Sequence, residues 1–229
     1  MHPSGYSTAW DHPPTSRAWA KQLMMNTIAF IGWILTAFGV LVLILLLPTG
    51  FVPLLIFPMV YSGYRALIAL AFFLVYVRMR RILQAYSWRL DRAPYGLSQH
   101  PESPHGEKWI EFPNPERPGE KIPLHFLSHY RVNWWGRRMA PRAKPELKAE
   151  LDPIWFAGDP RFFGVIAVSS GPPSKAADLQ PRRLHVLTQP HAFFSPADHN
   201  SWQASAQDVA RAQQAGARSG RRRQVREAQ

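Results

Sequence analysis

Residues 23–47 are 25 consecutive positions without one ionisable side chain, and this run constrains the chain more than any other feature. At about 1.5 Å per residue a helix over it is roughly 37 Å long, enough to cross a hydrocarbon layer of roughly 30 Å with some tilt. Residues 41–47 are apolar on every side, whereas a helix of a water-soluble fold this size shows a polar face. The run reads as a membrane span.

A second apolar stretch follows, broken by Pro48, Pro53 and Pro58. Proline lacks a backbone donor and pushes the residue before it out of helical geometry. Residues 48–57 are therefore expected as an apolar loop at the far interface, with the second span over about 58–77. A helix starting near Phe51, with Pro53 and Pro58 in its first turns, is the alternative. Arg65 is the one charge inside this stretch. If the span starts at 58, it lies roughly 10 Å below the far end and can snorkel to lipid headgroups beside Tyr61 and Tyr64. If the span starts earlier, it lies near mid-bilayer and calls for a partner. No acidic residue stands between Lys21 and Asp91, which favours snorkelling.

Arg17 and Lys21 precede the first span, Arg78, Arg80, Arg81, Arg89 and Arg92 follow the second, and the loop between carries no charge. The positive-inside rule then places both termini in the cytoplasm of a multi-pass inner-membrane protein. Arg78, Arg80 and Arg81, with Arg65, are the candidate contacts to anionic lipid headgroups. Small residues Ala29, Gly32, Thr36 and Gly39 share one face of the first span, and Ser62 with Ala66 or Ala69 share one of the second. Such faces permit close backbone approach. Packing of the two spans on each other is the preferred role for Gly32, Thr36 and Gly39, and a homodimer is the alternative.

The formal net charge of +12 would suggest nucleic acid in a soluble protein; in a membrane protein with cytoplasmic termini, anionic lipid explains it more cheaply. The absence of cysteine excludes disulfides and thiolate chemistry. The first apolar run is too long for a cleavable signal peptide.

Four regions are expected: a disordered N-terminus over 1–16; a transmembrane hairpin with a basic juxtamembrane helix over 17–93; a β-rich domain over 94–197; and a basic, disordered tail over 198–229. Ser16 is a candidate N-cap for the first helix. Beyond Pro94, short apolar-aromatic runs at 108–112, 122–127, 130–135, 154–157, 162–168 and 184–187 suit strands of a small antiparallel domain. A short helix is expected over 144–151 and a marginal one over 204–215. The fold class is thus an α-helical membrane hairpin of two transmembrane helices plus a small, mainly β cytoplasmic domain.

The run Arg-Ile-Leu-Gln-Ala-Tyr-Ser-Trp at 81–88, and Trp-Phe-Ala-Gly-Asp-Pro-Arg-Phe-Phe-Gly-Val-Ile-Ala at 155–167, resembles actinobacterial integral membrane proteins without an assigned activity. In those a second glycine usually stands where this chain has Phe163. The resemblance implies architecture and lineage, not chemistry.

Signals for chemistry are sparse. His125 and His129 are spaced i, i+4, but on a strand-like run and without a His-Glu-x-x-His frame; with His100 and His105 they are expected as ordinary histidines, and no metal or cofactor is expected. Asp152 and Asp159 could form an acid–base pair, yet Gly158-Asp159-Pro160-Arg161 is also ordinary turn composition. That loop is the candidate surface for a protein partner. Trp134-Trp135 before Arg137-Arg138 could stack bases or lie on lipid, and otherwise are strand aromatics of the core. The Arg221–Arg223 run could bind nucleic acid, though an arginine triplet is not specific for it. Three readings follow: a non-enzymatic membrane protein presenting its domain to a partner, which is preferred; a membrane-surface enzyme using Asp152, Asp159 or histidines; and a tethered nucleic-acid binder.

Overall fold

The computed structural model describes residues 6–91, 109–117, 119–127, 132–140, 142–170, 180–189 and 204–217. They form two compact units, one of residues 19–77 and one of residues 1–18 with 78–229.

Two long helices, α1 (Pro13–Leu46) and α2 (Val52–Ala85), supply the first unit, joined by a 3-10 turn at Thr49–Phe51. Among the described residues one helix, α1, is long and apolar enough to cross a membrane. Helix α1 starts at Pro13 because proline is pre-set for the first turn, where its missing N–H has no helical acceptor anyway. The same reason lets α2 start at Val52 with Pro53 in its first turn. The second helix therefore begins before residue 58, and Pro58 lies inside it. Counted at 1.5 Å per residue, Arg65 stands about 20 Å from the start of α2. Ser16 donates to the Pro13 carbonyl from within α1 and is not its N-cap.

The helices meet along Asn26, Phe30 and Trp33, an i, i+4, i+7 stripe of α1. The Asn26 side chain, fully buried, donates to the Ala69 carbonyl at 2.9 Å. Phe30 meets Phe73 edge-on, and the Trp19 indole donates to the Tyr76 carbonyl.

In the second unit six strands form one antiparallel sheet that curls into a half-barrel, in the order β1-β4-β5-β6-β3-β2. They are β1 (Arg89–Asp91), β2 (Trp109–Pro113), β3 (Lys121–Phe126), β4 (Ile154–Asp159), β5 (Phe163–Ser170) and β6 (Gln180–Thr188). Strand β3 alternates buried and less buried residues, as a sheet with one apolar face requires. Strand β4 is buried at all six positions. Its Ile154 and Phe156 enter the core with Phe112 and Trp135, while Trp155 on the opposite face meets Trp88 edge-on and His12 in a stack. Short helices α3 (Asn133–Met139) and α4 (Pro145–Ala149) lie between β3 and β4, and α5 (Ala206–Gln214) follows β6.

Three expectations are corrected. Residues 133–135, expected as strand, open α3: Trp135 goes into the core and Trp134 to its rim, a placement that the 3.6-residue period provides. In the lead-in expected to be disordered, the Ala9 and Trp10 amides donate to the Tyr86 and Leu83 carbonyls at 2.8 and 2.9 Å. These carbonyls end α2 and lack partners within it, so the N-terminal segment acts as their cap. Within the tail expected to be disordered, the marginal helix expected over 204–215 is present as α5, capped by Ser205 and anchored by buried Ala212 and Ala215.

Gly158 and Gly164 face each other across the β4–β5 pair. Gly158 has φ +150°, and a Cβ there would collide with the Gly164 Cα and the Phe163 carbonyl; one on Gly164 would enter the Phe156 ring. Gly158→Ala is therefore expected to cost about 2 kcal/mol or more by strain and overpacking. Gly39→Ala, with nothing within 4 Å of the new methyl, should stay within about 0.5 kcal/mol. Denaturant unfolding of the detergent-solubilised chain, followed by tryptophan fluorescence, compares the two.

Candidate functional site

The turn between β4 and β5 carries the most deeply buried charges among the described residues. Asp159 and Arg161 retain only 7% and 4% of their surface. The Asp159 carboxylate accepts from the Arg161 backbone amide at 2.9 Å, from Nε at 3.0 Å and from an Nη at 2.7 Å. That same Nη donates at 2.7 Å to Asp208 in the first turn of α5, and the other Nη lies 3.5 Å from Glu116. Ser205 completes the group: its hydroxyl donates to Asp208 at 2.8 Å and accepts from the Asp208 amide. Gln189, just after β6, donates to the Pro160 carbonyl.

Electrostatics lock this arrangement. Hydrogen bonding to Asp159 raises the Arg161 pKa still further, so the guanidinium stays charged. Burial pushes the Asp208 carboxyl up, but hydrogen bonds from Ser205 and Arg161 and the Arg161 charge bring it below its ordinary value. Tyr86 lies nearby with its hydroxyl buried and without a hydrogen-bond partner among the described residues; burial first, then the Asp159 charge, holds its proton well above the usual phenol range. The Arg211 guanidinium lies 6.0 Å from the Tyr86 ring. A carboxylate already satisfied by an arginine fork is a poor general base, so this cluster is built to hold elements together.

Other expected residues fall as follows. Gly158, Asp159, Pro160 and Arg161, expected as a partner-facing loop, are all buried, because Arg161 can leave water only when its carboxylates enclose it. Asp152 is exposed. His125 lies on β3 against the Trp109 ring, while His100, His105, His129 and Arg221–Arg223 lie outside the described residues. Among the described residues no three histidine or acidic side chains gather as metal ligands. Arg65 places its guanidinium 5.3 Å over the Trp33 ring, whose edge-on neighbour is Tyr61. Arg80 lies 5.0 Å over Trp10, Arg81 is exposed and Arg78 half-buried. Gly32, Thr36 and Gly39 are exposed, whereas Ser62, Ala66 and Ala69 are buried. The sequence reading overlooked the Asp208 and Ser205 partnership. Its signal was Ser205-x-x-Asp208 at the head of a helix, a capping pattern.

The chain matches no protein-family model, no curated protein and no solved structure.

Arg161→Met is expected to cost about 3–5 kcal/mol, because it strands two carboxylates. Arg161→Lys should recover part of this, since an ammonium keeps the charge but not the fork. Chemical denaturation of the three proteins tests the order. Burial also lowers the His12 pKa below its ordinary 6.5. Protonation is then harder in the folded chain than in the unfolded one, so the stabilisation is full above about 6.5 and is lost as pH falls through the folded value. Amide exchange, corrected for its intrinsic pH dependence, should show Ala9 and Trp10 losing protection on that descent, and His12→Phe should abolish the effect.

Proposed function

We propose that this chain is a non-enzymatic integral membrane protein. In this reading α1 and α2 cross the inner membrane as a hairpin, both termini are cytoplasmic, and the β lobe is held at the inner leaflet to bind another protein or organise a complex. The observation that carries it is the apolar surface that both helices turn outward. Leu45 and Leu46 on α1 are each 76% exposed, and Leu54 and Phe57 on α2 are 73% and 77% exposed. Exposure of apolar surface on this scale suits lipid, not water. Arg78, Arg80 and Arg81 would meet anionic headgroups where α2 leaves the hydrocarbon.

The lobe itself favours binding over catalysis, since Asp159 is fully engaged by Arg161 and Asp152 stands exposed. A homodimer through Gly32, Thr36 and Gly39 is the second reading, because all three are exposed on α1 and nothing lies within 4 Å of a Cβ placed on either glycine.

The chain has no native cysteine, so single cysteines report its topology directly. In sealed cells an impermeant maleimide should label Gly50→Cys and not Ala217→Cys. Equal labelling of both would favour a single crossing, and labelling of position 217 alone would invert the orientation. For the dimer, Thr36→Cys should crosslink to itself in native membranes, and Gly32→Leu should abolish that crosslink without loss of the folded chain.

A further inference from the structure

We propose that Trp134, Arg137 and Arg183 form a docking surface for the phosphate groups of anionic lipid headgroups; this rests on the membrane reading above. Arg183 is the non-glycine residue with positive φ, 53°, among those described, a strained conformation for a side chain of its size. It lies in an irregularity of the β5–β6 pair, where Arg183 and Leu184 stand opposite Ala167. A bulge of this kind re-aims side chains. Here Leu184 is buried and Arg183 is exposed, with its guanidinium 4.8 Å from the centre of the Trp134 ring.

On α3, Arg137 and Arg138 follow Trp134 at i+3 and i+4 and share its side of the helix. Arg138 is committed: it lies 3.8 Å over the Trp134 ring and donates through Nε and Nη2 to Glu150, at 2.8 and 2.7 Å. Glu150 neutralises it. Arg137 and Arg183 are exposed, with no carboxylate partner among the described residues. The surface thus carries an unbalanced positive charge around one half-buried indole.

Its chemistry points to phosphate. Guanidinium forks match phosphate oxygens, whereas the Trp134 ring is already covered by arginine and offers no open platform to a nucleobase. Tryptophan beside arginine is also the composition of a membrane–water interface. A bilayer is the occupant favoured over RNA, because α1 gives the chain a surface for hydrocarbon.

The test uses the full chain with a single spin label at Arg142→Cys, an exposed position beyond α3. Nanodiscs of phosphatidylcholine, with or without phosphatidylglycerol, receive the wild-type surface or the Arg137→Gln/Arg183→Gly variant. Glycine accepts the backbone conformation at 183, so a folding defect is not built into the variant. With phosphatidylglycerol, the label's collision rate with a lipid-soluble relaxer should rise severalfold and that with a water-soluble one should fall. The variant should return both to their phosphatidylcholine values, with its melting temperature equal or higher. Inorganic phosphate at matched ionic strength should not release the label. Retention in both discs without a lipid-dependent response, a response that survives in the variant, release by free phosphate, or displacement by an RNA oligonucleotide each overturns the inference alone. A chain that enters neither disc overturns the membrane reading with it.

Discussion

A guanidinium without water tolerates few surroundings, and Arg161 dictates much of how the lobe is arranged. It must keep partners on every donor edge, because leaving one charge buried and unpaired costs far more than the pair itself contributes. Asp159 supplies one partner from two residues away, and Asp208 supplies the other from 47 residues away. The turn that ends β4 and the head of α5 are thereby forced to meet. Glu116, from the turn after β2, approaches the same group. The cluster thus fixes which segments of the lobe meet.

Much of the architecture was written in composition. Length without charge marked residues 23–47, and aromatic, β-branched runs marked most of the strands. The errors have physical causes. Trp134 and Trp135 have strand propensity, but tertiary context overrode it: their α3 places one indole in the core and one at the rim. Proline reads as a breaker at Pro53 and Pro58, yet Pro53 sits in the first turn of α2, where it costs no hydrogen bond, and Pro58 is carried inside the helix at the loss of one. The lead-in looked featureless because it contributes backbone amides to the end of α2, and backbone donors leave no trace in residue type.

The candidate cluster was half legible. Asp159 and Arg161 stood out as a turn, but polar turn residues are expected at the surface, and nothing local shows that these are enclosed. Their enclosure depends on Asp208, whose sequence distance hides the pairing. On α1 the outcome ran the other way. The glycines suggested the contact face, while the buried contact is made by Asn26 and the aromatic residues that follow it at helical spacing. An asparagine that satisfies an opposing carbonyl is a strong register device in an apolar pair.

Tyr86 carries a consequence for how the molecule is made. Its carbonyl receives the amide of Ala9, and its ring lies beside Arg211 of α5, so pieces from the two extremes of the described chain converge on one residue. During synthesis the ribosome must deliver Ser205 to Ala215 before Arg161 gains its second carboxylate. A nascent chain stalled ahead of that point would hold Arg161 paired with Asp159 but without its hydrogen bond to Asp208. The cluster therefore closes only once translation has passed Asp208, although its arginine lies 47 residues earlier.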